Sequence, residues 1–268
     1  MKKLFTLLLS VAIIAGCTTN AVTGRKQLSL IPENQLQEMA VNQYQSFLSE
    51  NKVVSSSTSK DAEMVKRVGS RIANAITQYY NQKGNSDILS GYKWEFNLVD
   101  NKQVNAWCMP GGKVVVYTGL LPITQNEAAL AVVLGHEITH AVAQHGNERM
   151  SQEMLAQGLG SVLNAATQSN AQTNGIFNAV YGIGSQTYGL KNSRGQEYEA
   201  DHFGLIFCAM AGYNPQEAIP FWERMTAASG GNKPPEFLSS HPSDENRIAR
   251  LKSYMPEALK YYKPVNRK

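Results

Sequence analysis

Apolar side chains recur at intervals of three and four residues in the segment that follows Asp61. This spacing places them on one face of an α-helix. The residues that carry it are Val65, Val68, Ile72 and Ile76. An earlier helix is predicted near residues 33 to 50, and the polar run SSSTS at residues 55 to 59 separates the two helices as a flexible break.

Two strand patterns follow this amphipathic helix. Trp94, Phe96 and Leu98 alternate with polar residues, which predicts a half-buried strand. The turn sequence PGG then precedes the β-branched run KVVVY, which predicts a second strand from Lys113 to Tyr117.

Helical patterns dominate the rest of the chain. Thr124 and Glu127 form a capping-box pattern at the start of a long apolar run. We therefore predict an α+β fold, mainly α, with a small β-sheet beside the helix that this pattern opens.

The first residues have the pattern of an export signal. Lys2 and Lys3 precede the apolar run LFTLLLSVAIIAG, which is too short for an ordinary membrane-spanning helix. The following IAGC resembles the lipobox of bacterial lipoproteins, in which the cysteine is lipidated. We expect residues 1–16 to be a lipoprotein signal peptide and Cys17 to be the site of lipidation and membrane attachment.

Residues 17–32 are predicted to form an extended tether between the lipid and the first helix. Thr18 stands where an aspartate would retain a bacterial lipoprotein at the inner membrane. The predicted location is therefore the bacterial cell envelope, lipid-anchored at the outer membrane and facing the periplasm.

Length and composition indicate one globular domain. The chain has 268 residues, 43% of them hydrophobic and 17% charged. We assign residues 33–262 to this domain and residues 263–268 to a solvated basic tail. Loss of Lys2 and Lys3 reduces the formal charge from +4 to +2. With no dense basic stripe, the sequence predicts no binding to nucleic acid.

Three of the five histidines lie in the stretch VVLGHEITHAVAQH. On a helix, His136 and His140 differ by about 40° in direction and one turn in height, so both imidazoles reach one ion. With Glu137 they form the pattern H-E-x-x-H, in which the histidines bind zinc and the glutamate is the general base. The sequence therefore predicts one Zn²⁺ per chain.

His145 is not predicted to be a ligand. On a continuous helix it would point nearly opposite to His136, nine residues earlier. The metzincin pattern is also excluded, because it requires glycine and histidine where this chain has Ala143 and Gly146.

The third ligand is sought in the segment SRGQEYEADHFG. Glu197 and Asp201 are four residues apart and share one helical face, whereas Glu199 falls on another face. Glu197 can be the ligand and Asp201 the carboxylate that orients a ligand histidine from behind. Cys108 is the alternative ligand, by analogy with peptide deformylases, and a disulfide between Cys108 and Cys208 is left open.

These motifs resemble the zinc metallopeptidase family that includes HtpX, the CaaX prenyl proteases and the Oma proteases, known as peptidase family M48. The segments that carry the resemblance are NAVTGRKQLSL, NAWCMPGGKVVVYTGLL, HEITH, EYEAD, AGYNPQEAIPFWERM and PPEFLSSHPSDENRIARL. It implies a zincin-like, gluzincin metalloprotease domain over residues 33–262.

The resemblance also implies the residue roles. Zinc would be held by His136, His140 and Glu197, with Glu137 as base. The late histidine and arginine of the family correspond to His241 and Arg247, which are expected to act in catalysis, His241 as a donor to the oxyanion.

We expect a lipid-anchored zinc endopeptidase that acts on unfolded or misassembled envelope proteins in protein quality control. The alternative is a chaperone-like or binding lipoprotein with weak catalysis on the same fold. An extended substrate is predicted to add to an edge strand. The residues of that predicted strand are Lys113, Val114, Val115, Val116 and Tyr117.

Residues 151–190 are rich in glycine, alanine, asparagine and glutamine. Their apolar spacing predicts two helices with a loose connection near residues 168–175. We consider both a lid over the cleft and a plain helical hairpin for this segment. Whether a partner gates the site is left open.

Overall fold

The computed structural model describes residues 17–20, 22–157, 171–181, 191–228, 230, 235–241 and 246–264. The strands in these ranges are β1 (Cys17–Thr19), β2 (Lys26–Leu28), β3 (Val53–Val54), β4 (Glu95–Val99), β5 (Ala106–Met109) and β6 (Lys113–Tyr117).

The α-helices in the same ranges follow in chain order. They are α1 (Glu33–Glu50), α2 (Lys60–Gln82), α3 (Leu121–Thr124), α4 (Glu127–Val142), α5 (His145–Ala156), α6 (Ala171–Tyr181), α7 (Arg194–Met210), α8 (Ala218–Ala228), α9 (Glu236–Ser240) and α10 (Arg247–Tyr261). Within this part of the chain, every helix is too short or too polar to cross a bilayer.

The predicted amphipathic helix is confirmed as α2. Ser59 caps its start by accepting a hydrogen bond from the Ala62 backbone N–H. All four residues of the predicted apolar face are buried. The helix predicted at residues 33 to 50 is confirmed as α1, so the fold class, mainly α with a small sheet, is as expected.

The main sheet has the strand order β3-β4-β6-β5. Strands β4 and β6 are parallel, and β5 pairs antiparallel with β6. Both predicted strands are confirmed. The prediction that Lys113–Tyr117 is an edge strand is wrong, because Gly111 and Gly112, both at positive φ, turn the chain into a hairpin. This hairpin lays β5 against β6, so β5 ends the sheet.

The predicted capping box at the start of α4 is also wrong. Asn126 caps this helix, and its side chain accepts a hydrogen bond from the Ala129 backbone N–H. Thr124 instead ends the short helix α3 and donates its hydroxyl to the Leu121 carbonyl. Gln125, at φ 64°, makes the turn between the two helices.

Helices α4 and α7 meet backbone to backbone. A methyl group at Gly135 would lie 2.6 Å from the Gly204 carbonyl oxygen, and one at Gly204 would lie 2.9 Å from the His136 nitrogen. Only glycine permits this approach. The contact places the polar residues of α4 directly against those of α7.

Strands β1 and β2 form an antiparallel pair, called here the N-terminal ribbon. The ribbon packs on the domain, in contrast to the extended tether expected for residues 17–32. Asn20 is buried, and its side-chain amide donates to the Ala143 carbonyl at 2.7 Å and to Gln27 at 2.8 Å. The ribbon therefore reaches the end of α4.

Cys108 on β5 and Cys208 on α7 are both buried and free. The structure contains no disulfide between them, and burial raises the pKa of each thiol.

Gly204→Ala is expected to lower the free energy of unfolding by about 1–3 kcal/mol, the usual cost of overpacking. Denaturation in urea, followed by circular dichroism, measures the change. Gly175→Ala on α6 is the control, because an added methyl group there meets no neighbouring atom of the described residues within 4 Å, and alanine favours the helix. Equal destabilisation by the two substitutions would contradict the proposed backbone contact.

Candidate metal centre

The helix α4 carries the H-E-x-x-H residues inside the protein. Every residue from Ala129 to Val142 is buried, which explains why the stretch is almost wholly apolar. The polar exceptions near its centre are Thr139, whose hydroxyl donates to the Gly135 carbonyl, and His136, Glu137 and His140. They need polar partners, because an unpartnered polar group costs free energy in the interior.

The two histidines of α4 converge. Their Nε2 atoms lie 3.1 Å apart, close to the ~3.3 Å expected for two nitrogen ligands of one tetrahedral zinc ion. The Nδ1 atom of His136 lies 3.0 Å from the Asp201 carboxylate. This hydrogen bond leaves the Nε2 lone pair directed toward the second histidine.

Glu197 on α7 completes the convergence. Its Oε2 lies 3.4 Å from His136 Nε2, and its Oε1 lies 3.3 Å from His140 Nε2. Ser193 forms a capping box with Gln196 at the start of α7, which fixes the first turn that carries Glu197. Glu197 and Asp201 therefore lie on one buried face of α7, as predicted, and both reach the site.

His241 lies in the same cluster, at the C-terminal end of α9. Its Nδ1 is 3.0 Å from Glu197 Oε1 and 3.2 Å from His136 Nε2, and its ring stacks on Phe237. Together with His136, His140 and Glu197 it offers ligand atoms that all lie within 4.8 Å of one another. Sequence reasoning assigned His241 only to the oxyanion and did not place it among the possible ligands.

The donor set suits a cation such as zinc. Burial alone would lower the pKa of His136, but Asp201 and Glu197 outweigh it and raise that pKa to about 9. The surroundings therefore favour positive charge where the ligand atoms meet. Glu197 Oε2 meets the His136 and Arg247 nitrogens only at 3.4 and 3.3 Å and accepts no hydrogen bond from the described residues, so a lone pair remains for a metal.

Cys108 is not among these ligand atoms. Its thiol donates to the Met109 carbonyl at 3.5 Å, and burial together with the nearby Glu137 carboxylate raises its pKa. A protonated thiol is a poor zinc ligand. The deformylase-like ligand set therefore finds no support in the structure.

Glu137 is buried beside the cluster without a hydrogen-bond partner for Oε1 among the described residues. The His241 ring lies beside it, with Nε2 at 3.4 Å from Glu137 Oε1. Burial raises the pKa of Glu137, although His241 and His136 oppose the shift. A carboxylate with a raised pKa is better suited to accept and then release a proton near neutral pH.

Arg247 lies behind the candidate ligands, buried at the start of α10. Its Nη2 donates to Asp201 Oδ1 at 2.6 Å, and its Nη1 lies 3.3 Å from Glu197 Oε2. The guanidinium also stacks over the Trp222 ring at 3.4 Å. This geometry braces the two carboxylates.

His145 lies nearer to the site than the sequence reasoning allowed. The expected continuous helix ends at Val142, and Gln144, at φ 56°, starts the new helix α5. His145 therefore turns back, and its Nδ1 lies 2.8 Å from His140 Nδ1. It faces the side of the His140 ring opposite Nε2, away from the cluster of candidate ligand atoms.

The segment considered as a lid lies largely outside the described residues. Residues 151–156 belong to α5, and residues 171–181 form α6. The loose connection predicted near residues 168–175 is corrected in part, because residues 171–175 are helical. The lid hypothesis stays a prediction.

One helix of the site contributes H-E-x-x-H, and the helix that crosses it contributes a glutamate four residues before an aspartate. This arrangement is typical of zincin-like metallopeptidases. The chain belongs to Peptidase family M48, whose model matches residues 59–255. Zinc is the metal that fits this family and this donor set.

Several curated proteins are similar to the chain. The mitochondrial metalloendopeptidase OMA1 of Saccharomyces cerevisiae is 34% identical over 69% of this chain and 53% of its own length. The OMA1 metalloendopeptidase of Bos taurus is 31% identical over 98% of this chain and 50% of its own. The beta-barrel assembly-enhancing protease of Yersinia pestis is 33% identical over 65% of this chain and 38% of its own. The chain thus spans about half the length, or less, of these relatives.

The predicted location at the bacterial outer membrane is contradicted by these comparisons. The relatives that match 98% of the chain, from Bos taurus and Homo sapiens, are named mitochondrial. Those of Saccharomyces cerevisiae, Schizosaccharomyces pombe and Arabidopsis thaliana are named likewise. The prediction depended on Thr18 and a sorting rule for bacterial lipoproteins, which does not apply to such relatives.

Proposed function

We propose that this chain is a zinc endopeptidase that hydrolyses internal peptide bonds of unfolded or misassembled proteins. The observation that carries the proposal is the convergence of ligand atoms from two helices beside the buried, unpartnered carboxylate of Glu137. A module that only binds protein has no need of a base at that position.

In this proposal His136, His140 and Glu197 hold the zinc ion. When bound, zinc supplies a Lewis acid that polarises the scissile carbonyl and acidifies the attacking water. Asp201 orients His136 through its hydrogen bond at 3.0 Å. Arg247 positions both carboxylates from behind and does not contact the reacting atoms.

Glu137 is the proton carrier. Its carboxylate accepts the proton of the attacking water and passes it to the nitrogen of the leaving amine. Burial excludes competing bulk water from this carboxylate and raises its pKa, which makes it a stronger base for the first transfer.

His241 is proposed to donate a hydrogen bond to the oxygen that becomes negative in the transition state. The Asn192 side-chain amide and the Glu197 carboxylate both lie against His241 Nδ1, at 3.1 and 3.0 Å, and hold the ring, which leaves Nε2 as the nitrogen proposed to donate. His241 would then act as a donor, and His136, His140 and Glu197 would be the three protein ligands that hold the metal.

The substrate is proposed to bind along β5, the strand that ends the sheet beside α4. Cys108 on β5 lies near enough to Glu137 for the carboxylate to influence its pKa, so this edge adjoins the base. Main-chain pairing with an edge strand reads the backbone of an extended segment. Such binding selects extended, unfolded segments and depends little on their side chains, which fits a role in protein quality control.

Membrane attachment through Cys17 is a second part of the proposal. Cys17 is exposed at the start of β1, where a lipid would not disturb the packing of the domain. Cys17→Ser is expected to move the protein from the membrane fraction to the supernatant, and an unchanged membrane fraction would contradict lipidation there.

Glu137→Gln is expected to keep zinc and fold yet lower kcat by several orders of magnitude, because the amide preserves shape but cannot accept the proton. Cleavage of casein, with and without chelator, and zinc analysis measure the two effects. Cleavage near the wild-type rate would show that Glu137 is not the base.

His241→Ala is expected to lower kcat by about 10- to 1000-fold with little change in KM, the usual effect of losing one oxyanion donor. Its zinc content should remain that of the wild type. A large loss of zinc would make His241 a ligand, and wild-type kcat would remove it from the mechanism.

A further inference from the structure

The two ligand histidines are supported from behind in different ways. His136 contacts the Asp201 carboxylate directly at 3.0 Å. His140 faces a second imidazole, with 2.8 Å between its Nδ1 and that of His145. The Nε2 of His145 then lies 2.9 Å from Glu199 Oε2. A carboxylate therefore also stands behind His140, one ring further away.

The positions of the ring hydrogens on His140 and His145 follow from the proposed metal site, on which the inference rests. His140 can offer Nε2 to zinc only if Nδ1 carries the hydrogen. Nδ1 of His145 must accept that hydrogen, so His145 carries its own hydrogen on Nε2 and donates it to Glu199. The carboxylate of Glu199 thus sets the tautomers of both rings.

Arg25 holds Glu199 in place. Its Nε donates to Glu199 Oε1 at 2.6 Å, and its two Nη atoms donate to the two oxygens of Glu148, each at 2.7 Å. One guanidinium therefore links α7 to α5 through three short charge-assisted hydrogen bonds. Glu148 also accepts from the Gln196 side chain at 2.8 Å, next to the ligand Glu197.

The N-terminal ribbon delivers Arg25 to this position. Arg25 directly precedes β2, and Asn20 on the same ribbon donates to the Ala143 carbonyl at 2.7 Å. The ribbon thereby contacts both the turn that directs His145 and the carboxylate that fixes it. Arg25 lies before residue 59, where the family match begins.

We propose that Arg25 is a positioning residue of the metal centre: through Glu199 and His145 it fixes the ring orientation and tautomer of His140. The N-terminal ribbon is in this account a working part of the site. The requirement is for a forked guanidinium that holds two carboxylates at once, because a lysine offers a single point charge.

The test is the zinc dissociation constant of the full chain, measured by competition with a chromophoric chelator. Arg25→Ala and Glu199→Gln are expected to weaken zinc binding about 10- to 100-fold, the usual effect of losing a partner behind a ligand. Glu199→Gln is nearly isosteric, so it tests the network even if Arg25→Ala folds poorly. Arg25→Lys should give an intermediate loss, and the visible spectrum of the cobalt-loaded variants should shift.

Arg67→Ala is the matched control. Arg67 also pairs with two glutamates, Glu63 and Glu127, but at the far end of α4. Its side chain is 38% exposed, against 35% for Arg25. This control should lower the melting temperature comparably and leave zinc affinity unchanged.

Two results would overturn the proposal. One is wild-type zinc affinity in both Arg25→Ala and Glu199→Gln, and the other is an equal loss of affinity in Arg67→Ala. A wild-type chain that binds no zinc would instead contradict the proposed function, so the two failures are distinguishable.

Discussion

The close crossing of α4 and α7 is the constraint on which the site depends. Gly135 and Gly204 let the two backbones touch, and side chains that follow each glycine meet across the contact. His136 comes directly after Gly135, and Asp201 lies one turn before Gly204, which explains their hydrogen bond. A larger residue at Gly135 or Gly204 would push α4 and α7 apart and so move the histidines of α4 away from the carboxylates of α7.

Buried charge gives the second constraint. Glu137, Glu197 and Asp201 are all at most 5% exposed, and buried carboxylates are costly without cationic partners. Arg247 pairs with two of them. A divalent cation between the histidines would supply further positive charge at the place where the pKa of His136 is raised. The site is therefore more stable with its metal than without it, and metal binding should be coupled to folding.

Local patterns predicted much of this structure, and long-range contacts account for what they missed. The period of the apolar residues predicted α2, and the spacing of Glu197 and Asp201 predicted their shared face. The strand β5 was missed because AWCM has no alternation. His145 was misplaced because a helix break at Gln144 leaves no strong sequence signal, and the pairing of Arg25 with Glu199 joins residues 174 positions apart.

The central claim is that His136, His140 and Glu197 bind one zinc ion. X-ray absorption at the zinc edge, combined with anomalous diffraction from crystals of the zinc-loaded protein, tests it most directly. We predict one zinc ion bound by two histidine nitrogens at about 2.0–2.1 Å and a Glu197 oxygen at about 2.0–2.2 Å. A sulfur ligand at about 2.3 Å, as Cys108 would give, or a zinc ion remote from α4, would contradict the account.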